Sequence, residues 1–223
     1  MTKTISNVMM RKIGLGVVAG GLAIGAGSGY AADFGVTADV QNTLEVTVVA
    51  PMSLGSLFVN ATDGTGIGTL VLNPDGSFTP GETDQVITSL GGQSAAQASV
   101  ATDQNFIVNV PTAALDASTW AAAGDVATTL LAAGAVEVRL GGTAGDPNVA
   151  RLYLANFTVG DITDGVESGG PAVPGAPVTI DPDFGATAVT FGIGAEVFTD
   201  DSGTRTQYET GTYEGTFEVT AEF

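Results

Sequence analysis

Gly211-Thr212-Tyr213-Glu214-Gly215-Thr216-Phe217-Glu218-Val219-Thr220-Ala221-Glu222-Phe223 is the stretch that decides the fold class. Tyr213, Phe217, Val219, Ala221 and Phe223 share one parity, with Gly215 in the remaining place, while Glu214, Thr216, Glu218, Thr220 and Glu222 share the other. Successive side chains of a strand point to opposite faces, so this spacing predicts a strand with one apolar and one acidic face. That is the pattern of an antiparallel strand that covers a core and shows its other side to water. The reading splits into two uses: an ordinary closing strand, or a terminal strand bordering a groove that another chain fills by β-addition.

The same grammar extends through the rest of the chain. Phe106, Val108 and Val110 are in phase, as are Val136, Val138 and Leu140, and Ala95–Ala101 adds a third central strand. In Arg151–Val159, Leu152 and Leu154 share a face but Phe157 and Val159 fall on the opposite parity, which predicts a bulge near Ala155-Asn156. Leu70 and Leu72 precede Asn73-Pro74-Asp75-Gly76, a turn sequence with strand pattern resuming at Phe78. Ala186–Gly194 and Ala195–Thr199 read as strands, and Gly165–Pro177, rich in glycine and proline, reads as an exposed loop. One short helix is expected over Ala113–Ala123, around Trp120 and between Pro111 and Gly124. The fold class is therefore all-β, an antiparallel β-sandwich with one short helix.

At the other end, Lys3, Arg11 and Lys12 precede an apolar run from Ile13 to Ala26, then Gly29-Tyr30-Ala31. This is the pattern of a signal peptide cleaved after Ala31, so residues 1–31 are expected to leave and the protein to be exported, to the periplasm, outer surface or medium. No later segment reads as a membrane span. Residues 42–223 are expected to form the single sandwich domain, with Leu44, Val46 and Val48 on one face of its first strand and Pro51 ending it. Residues 32–41 precede it as an extension in which Phe34, Val36, Ala38 and Val40 recur at every second position.

Composition narrows the chemistry. The chain has no histidine and no cysteine, and without its leader no lysine. That removes histidine-based nucleophile systems, the usual zinc and copper ligands, disulfides, Schiff bases and lysine isopeptide links. No catalytic residue, cofactor or metal site is assigned. Carboxylate pairs for glycoside hydrolysis exist in number, but no spacing puts two of them in one cleft. Asp181-Pro182-Asp183, Asp200-Asp201-Ser202-Gly203 and Thr62–Gly66 offer oxygen ligands suited to calcium, yet they also read as turn chemistry and none has the EF-hand spacing. Arg139, Arg151 and Arg205 stand against 24 acidic residues after cleavage, a net charge of −21. Nucleic acid is excluded as a partner by such a surface.

The stretches Gly211–Thr220, Val189-Thr190-Phe191-Gly192-Ile193-Gly194-Ala195-Glu196-Val197 and Val48-Val49-Ala50-Pro51-Met52-Ser53-Leu54-Gly55-Ser56-Leu57 together resemble a family of secreted Gram-negative proteins, the domain-of-unknown-function family numbered 4402. The resemblance spans most of residues 32–223. The chain departs from the family pattern at Ala221, where a valine is usual, and in its longer Gly165–Pro177 segment. The resemblance implies an immunoglobulin-like sandwich similar to fimbrial subunits, with no catalytic chemistry. It further implies Phe34, Val36, Ala38 and Val40 as a donor strand, with the protein itself as homopolymer partner and a periplasmic chaperone and usher as helpers. The alternative is that the same segment completes its own sandwich, and the protein is a soluble extracellular binding module, for instance for glycans.

Overall fold

Two long strands, β10 (Leu152–Thr163) and β13 (Val189–Thr199), pair antiparallel from Leu152 opposite Thr199 to Thr163 opposite Thr190 and form the spine of the sandwich. The computed structural model describes residues 43–60, 67–81, 87–116, 126–142, 145–168, 173–200 and 207–223. The chain divides into the units Met1–Gln41 and Asn42–Phe223, and every described residue belongs to the second.

The spine strands carry apolar residues because both of their faces are covered. Leu152, Leu154, Phe157, Val159, Val189, Phe191, Ile193, Ala195 and Val197 enter the main core, while Tyr153, Ala155 and Phe198 enter a second cluster on the reverse face. The expected phase change is present: the β10–β13 register shifts between Ala155 and Thr158, and Asn156 adopts φ 51°. An extra residue there swaps the inward parity, so that both halves of β10 keep an apolar side toward the core.

Around the spine, β4 (Thr69–Leu72) and β7 (Ala96–Val100) share one edge of β13, β7 along Val189–Ile193 and β4 along Ala195–Phe198. β9 (Val136–Leu140) lies on the free side of β10, and β2 (Val46–Ala50) on β7. β5 (Phe78–Pro80) closes the expected hairpin with β4 through a turn in which Gly76 takes φ 83°. The facing sheet has the order β1 (Thr43–Leu44), β15 (Thr220–Glu222), β8 (Phe106–Asn109), β12 (Val178–Pro182), β11 (Gly165–Ser168), all antiparallel. Phe106, Val108, Val178, Ile180 and Ala221 from this sheet join the core, with the Phe106 and Phe191 rings 6.4 Å apart. β3 (Ser56–Val59) and β6 (Ile87–Gly91) form a separate two-stranded sheet. The architecture is an antiparallel all-β sandwich with, among the described residues, one short helix.

Four expectations are corrected. Among the described residues the helix is α1, Val126–Ala132; of the expected Ala113–Ala123 helix, residues 113–116 are not helical and residues 117–123 lie outside the described residues. Ala113 and Leu115 instead give their backbone groups to β10: the Asn156 N–H donates to the Ala113 carbonyl, and the Leu115 N–H donates to Asn156 Oδ1 at 2.7 Å. Groups held this way are not free for helix hydrogen bonds. Residues 117–125 lie outside the described residues, and the observed helix ends at Gly134, φ 85°. Second, Gly165–Ser168 is a strand, not loop. Gly165 stands at the corner where the chain passes between sheets, within 3.0–3.4 Å, for a Cβ, of the Asp181 carbonyl, Val189 and Ile180. Third, the C-terminal stretch is not one strand. It forms β14 (Tyr213–Glu214) on β9 and then β15 in the facing sheet, with residues 215–219 crossing between. Sheets of a sandwich stand about 10 Å apart, so no straight strand can serve both. Fourth, Leu44 and Val46 pack on the core but Val48 is 72% exposed.

Candidate groove on the sandwich

The facing sheet covers only part of the spine's inner face. Phe157, Val159, Val189, Phe191 and Val100 lie under it in the core, whereas Leu152, Leu154, Ile193, Val138, Ala96 and Ala98 floor an open groove of about 1010 Å³. One wall of the groove is the chain from Val46 to Val59; the other is the C-terminal segment from Tyr208 to Val219. The floor is buried, but much of the walls is not finished. Val46, Met52, Leu54, Leu57, Val59, Tyr208, Tyr213, Phe217 and Val219 are only half-buried, and Val48 and Phe58 are exposed.

Backbone groups are also left open along the walls. Among the described residues β3 pairs with β6 alone, so its other edge carries no ladder partner, and Gly215–Val219 belongs to no strand. A groove with an apolar floor beside an unpaired strand edge has the two features that β-addition uses: main-chain hydrogen bonds for affinity and side-chain pockets at every second position for specificity.

The C-terminal wall is clamped at its base. Tyr208 Oη donates to the Arg151 carbonyl at 2.5 Å and accepts the Asp200 N–H at 2.7 Å. Burial pushes the Tyr208 phenol far above its ordinary value, keeping it a donor. The Tyr213 ring lies 6.0 Å from that of Tyr208, its hydroxyl accepts the Glu209 N–H at 3.1 Å, and burial raises its pKa too. Beside this clamp, Glu137 on β9 binds both Arg139 and Arg151. Burial works to raise the Glu137 pKa, but hydrogen bonds from Arg139 and Arg151 outweigh it and hold the carboxylate below its ordinary value.

Of the residues singled out from the sequence, Tyr213, Gly215, Phe217 and Val219 line the groove. Ala221 does not; it is buried between the sheets. Phe223 is 53% exposed and away from the groove, which corrects its expected inward place. Gly215 is exposed, and its bare Cα lets the crossing chain approach the Glu137 carbonyl. Phe34, Val36, Ala38 and Val40 lie outside the described residues. The opposite wall was not read as part of a site, although Val46, Val48, Ala50, Met52 and Leu54 recur at every second position straight through Pro51, with Val49 also apolar on the other parity. Of the calcium-type stretches, Asp181 and Pro182 are in β12, the Asp183 N–H donates to the Asp164 carbonyl beside the β11–β12 ladder, and the Asp183 carbonyl accepts the Ala186 N–H in a turn. Thr62–Gly66 and residues 201–203 lie outside the described residues. Among the described residues no group of three or more acidic side chains is placed to hold a metal ion, and no helix is long and apolar enough to cross a membrane.

Comparison with protein-family models, with curated proteins and with solved structures finds no match.

Proposed function

We propose that this protein is an exported, non-catalytic structural or adhesive subunit of a bacterial surface, fimbrial-subunit-like, whose sandwich accepts an added β-strand. The observation that carries this reading is the groove: an apolar floor, walls carrying half-buried apolar side chains, and an edge of β3 that is unpaired among the described residues. An inserted strand would bury wall side chains that the fold leaves half in water, and burial is worth about 25 cal/mol per Å² of apolar surface. The resemblance to family 4402 and the leader-like N-terminus agree with export and a surface role. The chaperone and usher partners follow from the same reading, since an open groove needs protection before assembly.

The test has two parts. Expression from the full gene, followed by N-terminal analysis of the exported protein, is expected to find Ala32 as first residue. A peptide spanning Ala32–Gln41 is then offered to the chain lacking those residues, with melting temperature and light scattering as readouts. A raised melting temperature is expected. A peptide that neither binds nor stabilises a folded acceptor would overturn strand acceptance and move the reading to a self-complete extracellular binding module.

A further inference from the structure

The groove carries a charge pattern of its own. Glu209 and Glu214, both exposed on the C-terminal wall, are the only charged residues among those that line it. The opposite wall, Val46–Val59, contains no charged residue at all. No base reaches the floor from β9 either. Glu137 and Arg139 alternate with Val138, whose side chain belongs to the floor, and so point to the reverse face. Among the described residues Arg139 and Arg151 are the only bases, and both pair with Glu137. An occupant therefore meets apolar groups beneath it and carboxylates at one rim.

Those features select the occupant's chemistry. The edge of β3 that is unpaired among the described residues offers a row of N–H and C=O groups, which another extended backbone can match. In a strand laid along it, one parity meets the floor and the other faces the rim and solvent. Apolar residues suit the first parity. On the second, lysine or arginine is attracted by Glu209 and Glu214, whereas aspartate or glutamate is repelled.

The charge of the whole chain acts in the same direction. Past Lys12 only Arg139, Arg151 and Arg205 stand against 24 acidic residues. A field of that sign concentrates cationic segments near the surface and thins out anionic ones, a second copy of this chain included. Resting on strand acceptance by the groove, we infer that its occupant is an extended segment of a different, basic protein, with apolar side chains at every second position and lysine or arginine between them. Charge selects the partner and speeds its capture; burial on the floor and the β3 ladder hold it.

Three synthetic peptides as long as Val46–Met52 test this, each with valine at every second position and with lysine, serine or aspartate between. Their binding to the exported protein is measured by calorimetry at about 0.01 M and about 1 M salt, where charges are screened over about 30 Å and about 3 Å. At the lower salt the lysine peptide is expected to bind about tenfold or more tighter than the serine peptide, with aspartate weakest, and the order to collapse at the higher salt. Glu209→Gln with Glu214→Gln narrows that preference. Asp181→Asn with Asp183→Asn, which removes as much charge from residues that do not line the groove, narrows it far less. Equal narrowing by the two double variants overturns recognition by the groove's acids. Lysine and serine peptides that bind alike at low salt, or an aspartate peptide that binds best, overturn the inference while strand acceptance stands. Failure of all three peptides to bind overturns both.

Discussion

Tyr208 hydrogen-bonds through its hydroxyl to the carbonyl oxygen of Arg151 at 2.5 Å, fastening the C-terminal wall of the groove to the residue that enters the spine strand β10. The same oxygen takes the Asp200 N–H. Tyr208→Phe keeps the ring and removes both bonds, and two backbone groups in a half-buried site lose their partner. A loss of about 1–3 kcal/mol is expected, measured by urea unfolding. Hydrogen exchange at residues 208–217 should rise more than at β12, because the wall is released while the core remains.

Glu137 is the counter-ion of Arg139 and Arg151 together, and the Arg151 side chain is only 11% exposed. Glu137→Gln strands a cation in a poorly hydrated place, and a cost of about 2 kcal/mol at neutral pH is expected, between that of a surface pair and a fully buried one. The pKa of Glu137 is depressed in the fold below its ordinary 4.5, so its contribution is present above that value and is lost as pH falls through the folded pKa. The stability gap between the native chain and Glu137→Gln should therefore close on acidification. A gap unchanged down to strongly acid pH would show that the ion pairs contribute nothing.

Asn156 combines a left-handed backbone, φ 51°, with a side chain whose Nδ2 donates to the Leu115 carbonyl at 2.8 Å and to Glu196 at 2.6 Å. Asn156→Gly loses the clamp on Leu115 but fits the backbone; Asn156→Ala loses the clamp and adds left-handed strain of roughly 1–2 kcal/mol. Alanine should thus be the more damaging of the two in thermal unfolding, the reverse of their order in a helix.

Gly192 on β13 leaves room for the β4–β5 turn, since a Cβ there would fall on the Pro74 carbonyl, and Gly160 on β10 meets the Pro74 ring from the other side. Gly192→Ala should cost about 1–3 kcal/mol through overpacking, with the loss concentrated in the β4–β5 hairpin by hydrogen exchange. Gly185 offers a control with nothing near its Cβ direction but φ 87°, so Gly185→Ala pays only backbone strain.

Val48 lines the groove yet is 72% exposed, so it should separate assembly from stability. Val48→Asp is expected to change unfolding free energy by no more than about 0.5 kcal/mol, as surface substitutions do. Capture of the Ala32–Gln41 peptide should nonetheless be lost, because a carboxylate then faces an apolar strand. Equal peptide binding by both chains would remove this wall from the docking surface.

Strand identity was legible wherever one face of a strand is wet or a phase change is local. Val136–Leu140, Phe106–Asn109 and the bulge of β10 follow from alternation within a few residues, and the Asn73–Gly76 turn from the chemistry of proline and glycine. Alternation reports which side of the backbone faces apolar surroundings, and nothing about which strand supplies them. For that reason the sequence alone determined the all-β class, the two-faced character of Tyr213–Ala221 and the absence of histidine, cysteine and, past Lys12, lysine chemistry. The tertiary structure alone decided that Tyr213 and Ala221 serve different sheets, that Ala113 and Leu115 answer to Asn156 and not to a helix, and that Val46–Val59 faces Tyr208–Val219 across an open floor. Each of these depends on hydrogen bonds and contacts between segments tens of residues apart, whose pairing no local period encodes.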